Sequence, residues 1–314
     1  MATIHVNGTT LYYEDTGGDS PPIVFSHGLL WNTNLFASQI AVLKDRFRCV
    51  PYDHRGQGKS ADGTGRAIDL DTLTRDAAAL IEGLGLGPVH FCGLSLGGIV
   101  GMRLAIARPD LIRSLILLST TADPEPSKLK YKVMNVIARL FGIGSVANAV
   151  MPALYGKSSL SDPTRLPERM AWKQQLVDNR RTIWRAVNGA LERKSIQAEL
   201  CKIVAPTLVV VGDEDVATVP ARSESIAAAI DGAKLMNIPR AGHGLTLEAP
   251  AAVTDAIAAF LWEQEATPSG TVSEMSGKGT SIAMAGQASA SANSCAVTYD
   301  NRRQFLRFKS SRLN

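Results

Sequence analysis

A serine between glycines stands at Gly93-Leu94-Ser95-Leu96-Gly97-Gly98, in the pattern Gly-x-Ser-x-Gly. A segment from Pro88 to Leu94 that reads as a strand precedes it and a helical pattern over 96–108 follows. Such a serine occupies a sharp strand-to-helix turn. Its glycines let neighbouring backbone pass closely, and its hydroxyl is lifted clear of the chain. The start of the helix favours developing negative charge. A hydroxyl is a weak nucleophile at neutral pH and needs a base. The histidines are His5, His27, His54, His90 and His243, and His243 alone follows Ser95. With a serine at such a turn, the acid and then the histidine come after the serine along the chain. Glycines flank His243 in Ala241-Gly242-His243-Gly244, which suits a side chain reaching across a loop. The acid that orients it should follow a strand. Gly212-Asp213-Glu214-Asp215 offers three carboxylates in that position, and Asp123 a fourth. Two backbone N–H groups must hold an oxyanion. One is expected from Leu96 and the other from Leu29, in the loop after Ser26-His27-Gly28. His27 itself reads as a residue that fixes this loop.

These groups need a frame. Residues 3–6 and 10–15 read as two strands around the turn Asn7-Gly8. Apolar runs at 22–26, 47–52, 88–94, 112–118 and 206–212 read as buried strands, and 233–238 as a further one. Helical patterns occupy 69–84, 96–108, 220–231 and 250–264. Apolar strands alternating with helices predict a mostly parallel sheet covered on both faces. Between Asp123 and Cys201 the alternation stops. That stretch holds helical patterns punctuated by Pro152, Gly156, Pro163 and Pro167. The division expected is an α/β core at 1–124 and 200–264, a helical cap at 125–199 over the carboxyl edge of the sheet, and a disordered tail at 265–314. Trp172, Trp184 and Tyr155 in the cap read as packing residues rather than ligand contacts.

The set Phe25-Ser26-His27-Gly28, Asp53-His54-Arg55-Gly56-Gln57-Gly58-Lys59-Ser60, Gly93-Leu94-Ser95-Leu96-Gly97-Gly98, Gly212-Asp213-Glu214-Asp215 and Gly242-His243 resembles the α/β-hydrolase superfamily over residues 1–264. The segments Phe91 to Gly98 and Ala205 to Pro250 are most similar to its 3-oxoadipate enol-lactonase branch. The resemblance implies the α/β-hydrolase fold and a triad of Ser95, His243 and an acid at Asp215, the third position after Gly212. Asp123 is the alternative, because some members place the acid there. The activity implied is hydrolysis of a carboxylic ester or lactone through an acyl-enzyme. Three rivals share the framework: a cofactor-free perhydrolase resembling haloperoxidases, a carbon–carbon bond hydrolase, and a non-catalytic ligand-binding protein. A serine at the elbow argues against the branches that use aspartate there, the haloalkane dehalogenases and epoxide hydrolases.

Composition sets the outer limits. The chain has 314 residues, 45% hydrophobic and 20% charged, with a net charge of +4, an ordinary balance for a folded chain. Residues 125–199 carry 13 basic and 6 acidic side chains. That excess reads as a solvated face, or as an entrance favouring acidic substrates. Residues 266–294 are rich in Ser, Gly, Ala and Thr, and Arg302 to Lys309 is basic with interleaved aromatics. No run approaches the roughly 18 apolar residues of a membrane span, and the first eight residues lack the pattern of a secretory signal. A cytoplasmic, small-molecule hydrolase is therefore expected, without nucleic-acid partners or stable membrane association. Cys49, Cys92 and Cys201 read as small buried residues. No cofactor or metal is expected. Gly58-Lys59-Ser60 lacks the earlier glycine of a phosphate loop, and Gly83-Leu84-Gly85-Leu86-Gly87 precedes a strand instead of following one.

Overall fold

Asn7 and Gly8 both adopt positive φ, 46° and 68°, and reverse the chain between β1 (Ala2–Val6) and β2 (Thr9–Tyr13). The two pair antiparallel, as an Asn-Gly turn demands. The computed structural model describes residues 2–62 and 67–266. After the hairpin come β3 (Pro22–Ser26), α1 (Ala37–Leu43), β4 (Arg48–Tyr52), α2 (Leu70–Gly83), β5 (Val89–Leu94), α3 (Leu96–Ala107) and β6 (Ile112–Leu118). Helices alone then fill the stretch up to residue 202: α4 (Lys128–Phe141), α5 (Ala147–Leu154), α6 (Lys157–Ser161), α7 (Leu166–Val177) and α8 (Trp184–Leu191), with short 3-10 turns between them. The core resumes with β7 (Thr207–Gly212), α9 (Pro220–Ala229), β8 (Lys234–Ile238), α10 (Leu245–Glu248) and α11 (Pro250–Ala266).

The eight strands form one sheet in the order β1-β2-β4-β3-β5-β6-β7-β8. The β1–β2 and β2–β4 pairs are antiparallel and the rest parallel. Every residue of β5 and β7 is buried, so these strands are mostly apolar because both faces are covered, with His90 the one basic side chain in them. α3 is buried on most of its circumference, between the sheet and α2. Asp69 caps α2 by accepting the Thr72 N–H at 2.6 Å. A buried Arg55–Asp76 pair, with Nε–Oδ2 at 2.8 Å, ties the loop after β4 to α2. Asn7 joins it by donating to Asp76 Oδ1.

Register places the chemistry in a row. Ser26 lies beside Gly93, Leu94 beside Leu118, Leu118 beside Val210 and Gly212 beside Ile238. The carboxyl ends of β3, β5, β6, β7 and β8 therefore stand side by side, and each opens into one of the loops that carry the candidate residues.

Two sequence expectations need amending. α11 continues to Ala266 rather than stopping at 264. The cause is Glu265, which bonds buried His90 at 3.0 Å and Arg113 at 3.0 Å and so anchors the last turn. Cys201 is exposed, whereas Cys49 and Cys92 are buried; it sits on a 3-10 turn at the surface. The expected disorder of the tail from 267 onward, and its basic segment, lie outside the described residues.

Candidate active site

Ser95 has φ 53° and ψ −111°, a strained conformation that places its side chain at the sheet edge. The glycines of the motif are required by close approach. A Cβ on Gly97 would stand 1.9 Å from the Ser26 carbonyl oxygen, and one on Gly93 2.3 Å from the Gly97 oxygen. The hydroxyl of Thr120, just beyond β6, donates to the Ser95 carbonyl at 2.7 Å.

His243 Nε2 is 2.8 Å from Ser95 Oγ, and His243 Nδ1 is 2.9 Å from Asp215 Oδ2. Both His243 and Asp215 are buried. Asp215 Oδ1 accepts the N–H groups of Ala217 and Thr218, and Oδ2 accepts the Thr218 hydroxyl at 2.8 Å. Burial pushes the Asp215 carboxyl up. The His243 imidazole and the Thr218 donors outweigh it and hold the group below its ordinary value. With Nδ1–H donated to this carboxylate, Nε2 faces Ser95 as an acceptor. Asp123 is engaged elsewhere: its carboxylate bonds Arg222 of α9.

The loop after β3 is fixed from both sides. Leu30 adopts φ 73°. Gln57 Oε1 accepts its N–H at 3.0 Å and Asn179 Nδ2 donates to its carbonyl at 3.0 Å. Leu29, Leu96, Ser95 and His243 line one cavity. Leu96 is the first residue of α3, so its N–H has no acceptor within the helix. His27 fixes the loop as expected: Nδ1–H donates to the Gly28 carbonyl at 2.7 Å and Nε2 accepts the His54 N–H at 3.0 Å. Burial lowers its pKa, despite Asp53 nearby, and keeps the ring neutral.

The cavity measures about 170 Å³. Its walls are mostly apolar and include Ile99, Met134, Ile143, Val146, Leu154 and Val187. Arg193 is the lysine or arginine that reaches it among the described residues, and it pairs with Glu125 at 3.1 Å. Tyr155, Trp172 and Trp184 do not line the cavity. Tyr155 stacks on Trp172 at 4.3 Å and meets Trp31 edge-on, so they pack.

Sequence reasoning passed over Thr218, Glu248, Gln57 and Asn179. Glu248 is the most consequential. It is buried, accepts the Gly242 N–H at 2.9 Å and the Gly156 N–H at 2.8 Å, and so joins the His243 loop to the start of α6. Burial raises its pKa, against those N–H groups and Arg165. A second seam runs beside it, where Ser158 donates twice to Glu214. Glu248 follows His243 by five residues, a spacing that carries no signal without the fold.

A mostly parallel sheet with this strand-to-helix turn at Ser95 and these loops at its carboxyl edge is the architecture of an α/β-hydrolase. The chain belongs to the α/β-hydrolase family whose model, described as serine aminopeptidase S33, matches residues 21–250. An enol-lactonase from Burkholderia xenovorans LB400 superposes with a TM-score of 0.77 at 30% identity, over 83% of this chain and 100% of its own. A thermophilic esterase from Thermogutta terrifontis gives 0.77 at 29% identity, over 84% and 98%. Among curated sequences, the 3-oxoadipate enol-lactonase 2 of Acinetobacter baylyi is 26% identical over 82% of this chain and 96% of its own. A Pseudomonas syringae pv. syringae protein, provisionally named carbamate hydrolase RutD, is 27% identical over 78% and 95%. The chain is thus a hydrolase. No helix among the described residues is long and apolar enough to cross a membrane.

Proposed function

We infer that this hydrolase cleaves a neutral carboxylic ester or lactone through an acyl-enzyme on Ser95. The observation that carries the reading is the unbroken chain from Ser95 Oγ to His243 Nε2 and from Nδ1 to Asp215. Ser95 Oγ attacks the carbonyl carbon while His243 Nε2 takes its proton. The carbonyl oxygen becomes an oxyanion held by the Leu29 and Leu96 N–H groups. Asp215 keeps Nδ1 protonated and stabilises the imidazolium without taking the proton. His243 then returns the proton to the leaving alkoxide. For a lactone, that alkoxide stays tethered to the acyl group. Water, activated by the same imidazole, releases the acid and restores Ser95.

The cavity supports the neutral substrate. Its walls are apolar, and its Arg193 is already paired with Glu125. A substrate carboxylate would compete with Glu125 for that guanidinium, and a substrate ammonium would compete with Arg193 for Glu125. Each exchange strips hydration from an ion without adding a partner. The family's description as aminopeptidases and the oxoadipate named for one relative therefore do not transfer simply to this pocket.

A fluorophosphonate probe should label the protein at Ser95, and Ser95→Ala should abolish both labelling and hydrolysis of p-nitrophenyl esters. Full ester turnover by the alanine variant would end the proposal.

A further inference from the structure

α4 presents two apolar faces to different surroundings. Tyr131, Met134, Asn135 and Ala138 line the catalytic cavity. The opposite face carries Leu129, Val133, Val136, Ile137, Leu140 and Phe141. Their spacing puts them on one stripe of a helix. All six are exposed, Leu129 at 78%, Phe141 at 72% and Leu140 at 61%. An outward stripe of this kind marks an interaction surface.

Charge identifies the partner. α4 contains Lys128, Lys130, Lys132 and Arg139 and no acidic residue. At about 100° of rotation per residue, Lys128, Lys132 and Arg139 fall along one border of the stripe, and Lys130 falls between Ile137 and Phe141 near its other edge. Glu192, the residue just past the end of α8, is the carboxylate bonded to Lys128 and Lys132. Lys130 lies over the Tyr131 ring at 5.6 Å and Arg139 over Trp184 at 4.4 Å, neither of which supplies charge. Lys130, Lys132 and Arg139 remain exposed.

We propose that α4 docks the protein on an anionic lipid surface. The apolar stripe enters the boundary between headgroups and acyl chains, and the bordering cations meet the lipid phosphates. A second copy of the chain fits less well. Two stripes face to face would bring four cations from each helix together, with one Glu192 from each side to oppose them. The excess of 13 basic over 6 acidic residues in 125–199 acts in the same direction. Docking needs no spanning segment, so it amends the expectation of no membrane association without invoking a transmembrane helix. Because the inner face of α4 lines the cavity, docking brings that cavity next to the lipid. The binding itself does not depend on the ester-hydrolase reading.

The test uses the full chain and sedimentation with vesicles of phosphatidylcholine alone or mixed with phosphatidylglycerol. Wild type should bind the mixed vesicles at least about tenfold more tightly than the neutral ones, with the difference shrinking at high salt. The variant Val136→Gln/Leu140→Gln/Phe141→Gln, which leaves charge unchanged, should bind the mixed vesicles at least about tenfold more weakly. Its melting temperature and its turnover of a soluble p-nitrophenyl ester, whether high or absent in wild type, should match the parent. A second variant, Lys130→Gln/Arg139→Gln, should lose most of the preference for anionic vesicles. Wild type that binds neither vesicle, or a triple variant that binds as well as wild type, overturns the proposal. So does a wild-type dimer in sedimentation velocity that the triple variant dissolves, since the stripe would then belong to a second copy.

Discussion

Glu248 Oε1 accepts the Gly242 N–H at 2.9 Å, so the residue preceding His243 is held by a carboxylate whose other oxygen reaches Gly156 in the helical insertion. One side chain thus holds the His243 loop and the helical insertion beside the cavity together. Glu248→Gln offers a single acceptor oxygen and sets an amide NH2 against one of the two N–H groups. Leaving a buried donor unpaired costs about 1–3 kcal/mol. The variant should melt at a lower temperature and lose turnover, while KM for a small soluble ester changes little. An unchanged melting temperature would show that the clamp is dispensable.

Asp215 and Asp123 can be separated by matched variants. Asp215→Asn keeps the shape but presents an amide to Nδ1, favouring the wrong tautomer. Turnover should fall by roughly four orders of magnitude, as in serine proteases. Asp123→Asn breaks an ion pair with Arg222 at a partly exposed site and should leave turnover within a few-fold of wild type. Kinetics of the two variants side by side decide the matter, and the reverse ranking moves the acid to the earlier strand.

The strands and helices of the core were legible because burial on both faces leaves long apolar runs, as in Leu208–Val211 of β7, and because glycine marks close approach, as at Gly97. The site's serine and histidine stood out through chain order and flanking glycines. What eluded the sequence is contact made across the fold. Asn179 braces Leu30 over a separation of 149 residues, and Glu248 reaches Gly156 over 92; neither spacing leaves a periodic or local trace. α1, Ala37–Leu43, spans only two turns and so leaves little periodic signal in the sequence. The roles of the cap side chains depend on which way α4 is rotated, which its pattern of apolar residues on two faces does not decide.

His90 predicts how stability depends on pH. It is buried, and burial pushes its pKa down to about 4 from an ordinary 6.5. Ser114 Oγ lies 2.7 Å from Nδ1 and Glu265 Oε1 3.0 Å from Nε2, contacts that a neutral ring makes by accepting at one nitrogen and donating at the other. Between pH 6.5 and 4 the unfolded chain binds a proton that the folded chain does not. Stability therefore rises with pH through that window and levels off above it, by an amount on the order of 3 kcal/mol. Urea unfolding of wild type across this range should show the slope, and His90→Gln should flatten it. An equal slope in both proteins would assign the effect to other groups.

Substrate charge is the next discriminator. Because Arg193 is engaged by Glu125 inside an apolar cavity, a neutral lactone should be hydrolysed at least about tenfold faster, as kcat/KM, than the same lactone bearing a carboxylate. Glu125→Gln frees the guanidinium and should narrow or invert that ratio while sparing turnover of p-nitrophenyl acetate. Preference of the wild type for the carboxylate would place this chain functionally with the oxoadipate lactonases instead.

The pH profile of kcat/KM tests the division of labour between His243 and Asp215. His243 must be neutral to accept the Ser95 proton, so kcat/KM follows the neutral form of the base. Asp215 adds nothing to the acid limb: the His243 imidazole and the Thr218 donors outweigh the effect of burial and hold its carboxyl below its ordinary value of 3.8. It is ionised throughout the range in which the enzyme can be assayed. The acid limb should therefore have unit slope, from one proton, and reach a plateau on the alkaline side. Thr218→Val removes a donor from the Asp215 carboxylate, so the group loses part of what opposes its burial and should titrate at higher pH. In that variant the limb should steepen at its lowest pH and turnover should fall by less than in Asp215→Asn. A wild-type profile that is flat from pH 5 to 9, with chemistry shown to limit the rate, would mean that Ser95 is not activated by His243.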